Sequence, residues 1–234
     1  MRLFETGRGL AVGTMLAVIM LSPNLASAGT SPRGELEDFF GRAIAIRSET
    51  TTAKQARDDV RGLARALFDG RTASRQALDR EWNQRTGAER EEFARAFTDV
   101  LERAYIDIVQ ARLPRDRPPA IRVIGEDISG DRVAVVRTKV QTRDGGDVQL
   151  DYKMTRPGKR WLIRDVVIDG VSLVENYRAQ FARVLRRSSY AELLERLRTV
   201  AGTGAETRVA ARPGSGPRPD VLSLAPLGHS AQTP

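Results

Sequence analysis

The apolar residues of this chain follow two spacings, helical near both ends of the predicted folded region and alternating between them. Residues 35–48 and 52–68 carry apolar side chains three and four positions apart, which predicts two amphipathic helices. A short helix is predicted around 75–83. The apolar stripe that follows predicts a long helix, which the prolines between 114 and 119 end.

Polar side chains mark where three of the helices begin. Thr86, Ser172 and Ser189 each stand three positions before a glutamate, which is the spacing of a capping box. In such a box the hydroxyl accepts from a free backbone N–H and the glutamate returns a bond to the cap residue. We therefore expect the long helix to begin after Thr86, and two further helices to follow Ser172 and Ser189.

The middle of the chain has the period of two that is typical of a half-buried sheet. Gly-containing turns separate four such runs, so consecutive strands are expected to pair in an antiparallel meander. One face of this sheet is apolar and needs a cover. We predict an α+β fold in which N-terminal and C-terminal helices cover that face. The predicted strands are 120–128, 132–141, 147–156 and 160–168, and the helical regions are 35–112 and 172–200.

The two ends of the chain differ from the predicted domain at 29–200. Residues 1–28 combine an early positive charge, a short apolar run and an Ala26-Ser27-Ala28 site, which predicts a signal peptide cleaved near Ala28. The protein is therefore expected in the periplasm. From 201 to 234 the composition shifts to Gly, Ala, Pro, Ser and Thr, which predicts a disordered tail.

The side chains that most enzymes use are scarce. The chain has no cysteine, and its one histidine, His229, lies in the predicted tail. Thiol nucleophiles, Ser-His-Asp triads and histidine zinc sites are therefore excluded. Asp151 and Asp165 leave a carboxylate-based enzyme formally open, but ion pairing on the sheet is the simpler interpretation. We predict no enzyme, no metal site and no cofactor.

The net charge of +8 does not indicate a nucleic-acid-binding protein, because acidic residues are interspersed with the basic ones throughout. Apolar and aromatic side chains remain as the candidate functional surface. Periodicity alone does not separate a filled core from a lined cavity. A carrier of apolar ligands and a structural protein with a filled core are therefore both open at this point.

The stretch D-V-V-I-D-G-V-S-L-V-E-N-Y-R-A-Q-F at 165–181 resembles the signature of the MlaC (toluene-tolerance) family of periplasmic phospholipid-binding proteins, auxiliary components of an ABC transporter. The stretch from Trp82 to Tyr105 is similar to a second family pattern. The matching residues are Trp82, Thr86, Arg90, Phe93, Phe97, Leu101, Tyr105, Trp161, Asp165, Val166, Gly170, Val171, Ser172, Leu173, Val174, Asn176, Tyr177, Arg178, Gln180 and Phe181.

This resemblance implies a sheet of nuclear-transport-factor-like type with a helical annex and acyl chains held between sheet and helices. It implies a carrier that shuttles phospholipid between an outer-membrane lipoprotein–porin complex and an inner-membrane ABC transporter with a ring-forming substrate-binding subunit, and so maintains outer-membrane lipid asymmetry. Another lipid, such as a hopanoid, is the alternative cargo. The candidate lipid-binding residues are Phe93, Phe97, Val100, Leu101, Tyr105, Tyr152, Trp161, Val171, Val174, Tyr177 and Phe181.

Two further expectations concern the surface and the β–α turn. Arg178 and Arg183 are candidates for contacting an anionic headgroup or an acidic partner, with a solvated helix face as the alternative. The turn at Gly170 is a candidate hinge, because it would set the distance between the sheet edge and the helix that follows.

Overall fold

The computed structural model describes residues 31–49, 52–114 and 117–202, which form seven helices and five strands. The helices are α1 (Pro32–Glu49), α2 (Ala53–Arg65), α3 (Gly70–Leu78), α4 (Arg80–Asn83), α5 (Gly87–Arg112), α6 (Leu173–Leu185) and α7 (Tyr190–Gly202). The strands are β1 (Ile121–Ser129), β2 (Val133–Gln141), β3 (Asp147–Thr155), β4 (Leu162–Ile168) and β5 (Val171–Ser172). The α+β fold and the antiparallel meander are thereby confirmed.

The sheet has the order β1-β2-β3-β4-β5, with every neighbouring pair antiparallel. Alternate residues of β2 and β3 are buried, as the period of two predicts. The buried residues of these two strands are Ala134, Val136, Thr138, Val140, Val148, Leu150, Tyr152 and Met154. All of them except Thr138 belong to one apolar core that also includes side chains of α1, α5, α6 and α7, so the helices cover this face.

The predicted count of four strands is wrong by one, because β5 pairs with the end of β4 before α6 begins. Asp169 and Gly170 both have positive φ angles, 48° and 85°. Two consecutive residues with positive φ are typical of a type I′ turn, which joins two strands in the tightest hairpin. The chain therefore turns back along β4 for two residues and only then enters the helix.

The β4–α6 junction, residues 165–174, is held together by one buried carboxylate. Asp165 accepts hydrogen bonds from Ser172 Oγ at 2.7 Å and from the backbone N of Val174 at 3.1 Å, and it pairs with Lys153 Nζ at 3.0 Å. Ser172 in turn accepts from the backbone N of Glu175. Strand, turn and helix start are thus joined through hydrogen bonds that also satisfy free N–H groups of the helix.

The other helix boundaries follow the sequence signals with local differences. At Thr86 the capping box is present in both directions and α5 begins there, as predicted. The single helix predicted around 75–83 is divided into α3 and α4 at Asp79, whose φ is 51°. At the other end, α7 continues to Gly202, two residues into the segment predicted as tail.

Hydrogen bonds attach the N-terminal end of α1, and the chain that follows α2, to the region of the sheet. Glu35, in the first turn of α1, receives both a 3.0 Å and a 3.3 Å bond from the Arg160 guanidinium. After α2, the chain pairs with β4 through the backbone of Ile163, which exchanges two 2.7 Å bonds with Leu67 and Asp69. Among the described residues, the C-terminal end of α1 and the N-terminal end of α2 have no corresponding hydrogen bond to the sheet.

The predicted signal peptide and residues 203–234 of the predicted tail lie outside the described residues. Among the helices that are described, none combines the length and the apolar character needed to cross a bilayer.

Candidate functional site

An apolar slot opens between the sheet and the helices α1, α2 and α5. Its volume is about 70 Å³. The lining residues are Phe39, Phe40, Ala43, Ile44, Arg47, Val60, Tyr105, Ile106, Val109, Gln110, Leu113, Pro119, Ile121, Val140, Leu150 and Tyr152. Most of these side chains are aliphatic or aromatic, so the slot suits hydrocarbon rather than a polar ligand.

The slot runs along matched stripes of two helices. On α1 the lining extends from Phe39 to Arg47, and on α5 from Tyr105 to Leu113. Each stripe spans eight helical steps, so the slot is about 12 Å long at 1.5 Å per residue. Both stripes run in the same direction, because Arg47, at the end of the α1 stripe, donates to the backbone oxygen of Pro114, which directly follows Leu113.

The inner end of the slot carries a pair of buried tyrosines. The hydroxyls of Tyr105 and Tyr152 share a hydrogen bond of 2.9 Å. Burial raises the pKa of Tyr105 to about 12, and it raises the pKa of Tyr152 well above its usual value. Both hydroxyls therefore stay protonated, and the inner end presents neutral, hydrogen-bonded rings to a hydrocarbon chain.

The outer end carries the slot's polar groups. Arg47 is exposed, and its Nη2 donates to the backbone oxygen of Pro114 at 3.3 Å. Gln110 and Pro119 complete this rim. Among the described residues that line the slot, Arg47 is the one with a formal charge.

The wall of the slot made by α2 and the second half of α1 is loosely packed. Residues 41–49 include no buried side chain, and in α2 only Ala64 is buried among the residues whose burial is described. The contact between α2 and α5 combines apolar side chains with ion pairs. Arg65 reaches both Asp99 and Glu102 on α5, the bond to Glu102 being 3.3 Å long.

This α2–α5 interface contains a buried carboxylate that is poorly satisfied. Glu102 is fully buried, and its Oε2 has no hydrogen-bond partner among the described residues. Arg61 Nε, on the facing helix, is likewise buried without a partner there. Burial raises the pKa of Glu102 to about 7, against the lowering effect of the Arg65 guanidinium.

The structure brings two of the eleven candidate lipid-binding residues to the slot, Tyr105 and Tyr152. The other nine do not line it: Phe93, Phe97, Val100, Leu101, Trp161, Val171, Val174, Tyr177 and Phe181. All of these except Val171, in β5, are buried. Contact of these nine residues with a lipid stays a prediction, and the slot provides no geometric support for it.

The aromatic candidates pack on each other instead. Phe97 lies with its ring centroid 5.1 Å from Phe181 and 5.3 Å from Tyr177, in edge-to-face arrangements. Phe93 contacts the Phe181 ring at 5.6 Å. These distances are typical of a filled aromatic core. This cluster fastens α6 to α5 on the side away from the slot.

Sequence reasoning missed the slot residues on α1. Phe39, Phe40, Ala43 and Ile44 recur at helical spacing within a helix that was predicted but not assigned to the site. The stripe ends at Arg47, where an apolar helix face is followed by a cation, and this is the sequence signal that could have assigned these residues to the site. The stripe lies outside the two motifs that carry the family resemblance.

The expected headgroup candidate Arg178 lies elsewhere. Its guanidinium pairs with Asp79 at 3.0 Å and Glu175 at 3.1 Å, beside a groove of about 630 Å³ between α6 and the α3–α4 pair. Arg183 lines neither the slot nor this groove. Gly170 likewise lines neither of them, and the hinge expected there stays a prediction.

Comparisons with known proteins agree with this architecture. No curated protein is significantly similar in sequence. A phospholipid-binding protein from Ralstonia solanacearum, solved in complex with a phospholipid, has the same fold with a TM-score of 0.58 and 21% identity, over 72% of this chain and 93% of that chain. The sequence profile of the MlaC protein family matches residues 42–199. Because this match spans well over half of the sequence, the chain belongs to the MlaC family.

Proposed function

We propose that this protein is a phospholipid carrier that holds acyl chains in the slot between the sheet and α1, α2 and α5. The observation that carries the proposal is the apolar lining of the slot, closed by the Tyr105–Tyr152 pair and open at a polar rim. Membership of the MlaC family and the phospholipid bound by the Ralstonia solanacearum protein support it.

The carrier function follows from the cost of exposing hydrocarbon to water. Each buried methylene is worth about 0.8 kcal/mol, so two acyl chains with some 30 methylenes represent about 25 kcal/mol. Free diffusion of a phospholipid through an aqueous compartment is therefore negligible. A protein that takes the acyl chains from the membrane into an apolar slot lowers this cost, and it leaves the headgroup in solvent.

The slot has to widen to take a chain. Pockets for small ligands typically have volumes of about 300 to 1,000 Å³, and the slot has about 70 Å³. The sheet is held by its hydrogen-bond ladder, and α5 by its many buried apolar residues. The wall formed by residues 41–49 and 52–65, among whose described side chains only Ala64 is buried, is the part whose displacement costs least.

The wider setting of this carrier is also part of the proposal. The protein would work in the periplasm after removal of residues 1–28. It would pass lipid between an outer-membrane lipoprotein–porin complex and an inner-membrane ABC transporter, and would so maintain outer-membrane lipid asymmetry. A hopanoid or another rigid polycyclic lipid is the competing cargo, and mass spectrometry of copurifying lipid separates the two.

Filling the slot tests the assignment. The substitution Ala43→Trp places a large ring inside the slot, and we expect the purified protein to lose its copurifying phospholipid. Arg42→Trp, one position away on the exposed side of α1, is the matched control and should keep it. Phospholipid retained at wild-type stoichiometry by Ala43→Trp, or absent from the wild-type protein, would overturn the proposal.

A carboxylate-based enzyme is not favoured by the positions of the two candidate acids. Asp165 is surrounded by Lys153, Ser172 and the backbone N of Val174. Asp151 accepts from Gln149 Nε2 at 3.0 Å. In the described residues, no group of three or more His, Cys, Asp or Glu side chains is arranged to hold a metal ion.

A further inference from the structure

We propose that Arg47 binds the phosphate of the lipid headgroup and thereby sets the orientation in which a phospholipid enters the slot. This inference rests on the proposed carrier function and assigns the polar end of that site. The ligand group is the phosphodiester monoanion of a glycerophospholipid that has two acyl chains.

The position of Arg47 provides the first argument. An acyl chain that enters an apolar slot closed at its inner end by the Tyr105–Tyr152 pair has to leave its polar end at the rim. Arg47 is at that rim and is the charged side chain among the described lining residues. A phosphate at the rim therefore meets a guanidinium directly after the last apolar contacts of Ile44 and Leu113.

The current bonding of Arg47 provides the second argument. Its Nη2 donates to the neutral backbone oxygen of Pro114 at 3.3 Å, which is a long bond. A phosphate offers several charged acceptors in the geometry that the planar guanidinium fork matches, and such bonds are about twice as strong as neutral ones. Exchange of the carbonyl for a phosphate would therefore be favourable.

Three nearby arginines are engaged by other groups. Arg112, directly before the rim residue Leu113, forms a 2.6 Å ion pair with Asp169. Arg117 donates to the Gln141 side chain at 3.3 Å. Arg42, five residues before Arg47 on α1, lies near Asp38 at 3.6 Å and does not line the slot. Arg42 thus provides a matched control of the same residue type on the same helix.

The experiment compares two lipids with identical acyl chains, phosphatidylglycerol and diacylglycerol, of which only the first has a phosphate. Arg47→Gln is expected to weaken phosphatidylglycerol binding by about tenfold, as a charged hydrogen bond predicts, and to leave diacylglycerol binding unchanged. Arg47→Lys should recover part of the loss, and Arg42→Gln should change neither lipid. Inorganic phosphate alone should not protect Arg47 from modification by phenylglyoxal, whereas phosphatidylglycerol should.

The outcomes separate this inference from the carrier function. Equal losses for both lipids in Arg47→Gln would make Arg47 a structural part of the slot and overturn the inference, as would no loss for either lipid. Protection by inorganic phosphate alone would assign Arg47 to a free anion and also overturn it. If the wild-type protein bound neither lipid, the carrier proposal itself would fail.

Discussion

Two fully buried carboxylates hold helices in this protein, and their surroundings are opposite. Asp165 at the β4–α6 junction accepts two hydrogen bonds and pairs with Lys153, and the helix it holds also packs through Phe181 into an aromatic core. Glu102 at the α2–α5 interface has one 3.3 Å bond to Arg65 and a second oxygen without a partner among the described residues. The same chemical group therefore stabilises one contact and weakens the other.

This difference predicts that the β4–α6 junction is more stable than the α2–α5 interface. A buried charge is favourable only when hydrogen bonds replace its lost hydration. The β4–α6 junction meets that condition and lies away from the slot. The α2–α5 interface does not meet it, and α2 forms part of the slot wall. Under the proposed carrier function, the less stable of these two contacts is thus the one next to the slot.

The largest effect is expected from breaking the satisfied site. Asp165→Ala removes the buried partner of the half-buried Lys153 and leaves Ser172 Oγ and the Val174 N–H without their acceptor, so the free energy of unfolding should fall by about 3 to 5 kcal/mol. Denaturant titration measures this. Asp151→Ala, on the same sheet but bonded only to Gln149 in the described structure, should stay within about 0.5 kcal/mol. Similar losses for both variants would contradict the central role given to Asp165.

The pH dependence of stability should report Glu102. Burial raises its pKa in the folded state to about 7 from an ordinary value of 4.5, so the folded protein binds more protons than the unfolded chain between these values. The free energy of unfolding should therefore fall as the pH rises through this window, by about 3 kcal/mol in total. The groups that face Glu102 are Arg61, Arg65 and Asp99.

Glu102→Gln is the control for that profile. It removes the titration of this one carboxyl and keeps that of Asp107, whose pKa burial also raises. The difference between wild-type and variant profiles isolates Glu102. A wild-type profile parallel to that of the variant from about pH 5 to about pH 8 would show that Glu102 does not carry the linkage.

A smaller and opposite effect is expected from repairing the weak interface. Glu102→Met replaces the carboxylate by an apolar side chain of similar size, and should raise the free energy of unfolding by about 1 to 3 kcal/mol at about pH 8. If the wall formed by residues 41–49 and 52–65 moves during loading, the same variant should exchange lipid with vesicles more slowly. Glu91→Met, on the exposed side of α5, is the control and should change neither quantity. Faster exchange in Glu102→Met would argue against the moving wall.

Much of the fold could be predicted because its signals are local. The alternation in β2 and β3 and the Thr86 capping box each depend on neighbouring residues, and the structure confirms them. The short β5 was missed because the Asp169-Gly170 hairpin signal is followed by only two strand residues, the second of which is the Ser172 cap. The break at Asp79 was missed because only the backbone angle of that residue marks it.

The candidate site was predicted less well, because α5 is apolar on more than one side. Phe97 and Tyr105 belong to one apolar stripe in the sequence, yet Phe97 packs against α6 while Tyr105 faces the slot. Periodicity shows which residues avoid water but not which element they meet. The same limit concealed the role of Phe39 and Phe40, since α1 has no motif that marks it as a cavity wall.

The sequence by itself determined the α+β class, the antiparallel meander and the family, because spacing and motif residues are properties of short stretches of chain. Only the tertiary structure decided that the slot lies under α1, that Arg47 stands at its rim and that one oxygen of Glu102 has no hydrogen-bond partner among the described residues. Those features depend on how segments distant in sequence meet. Packing, burial and the pairing of charges arise only at that contact.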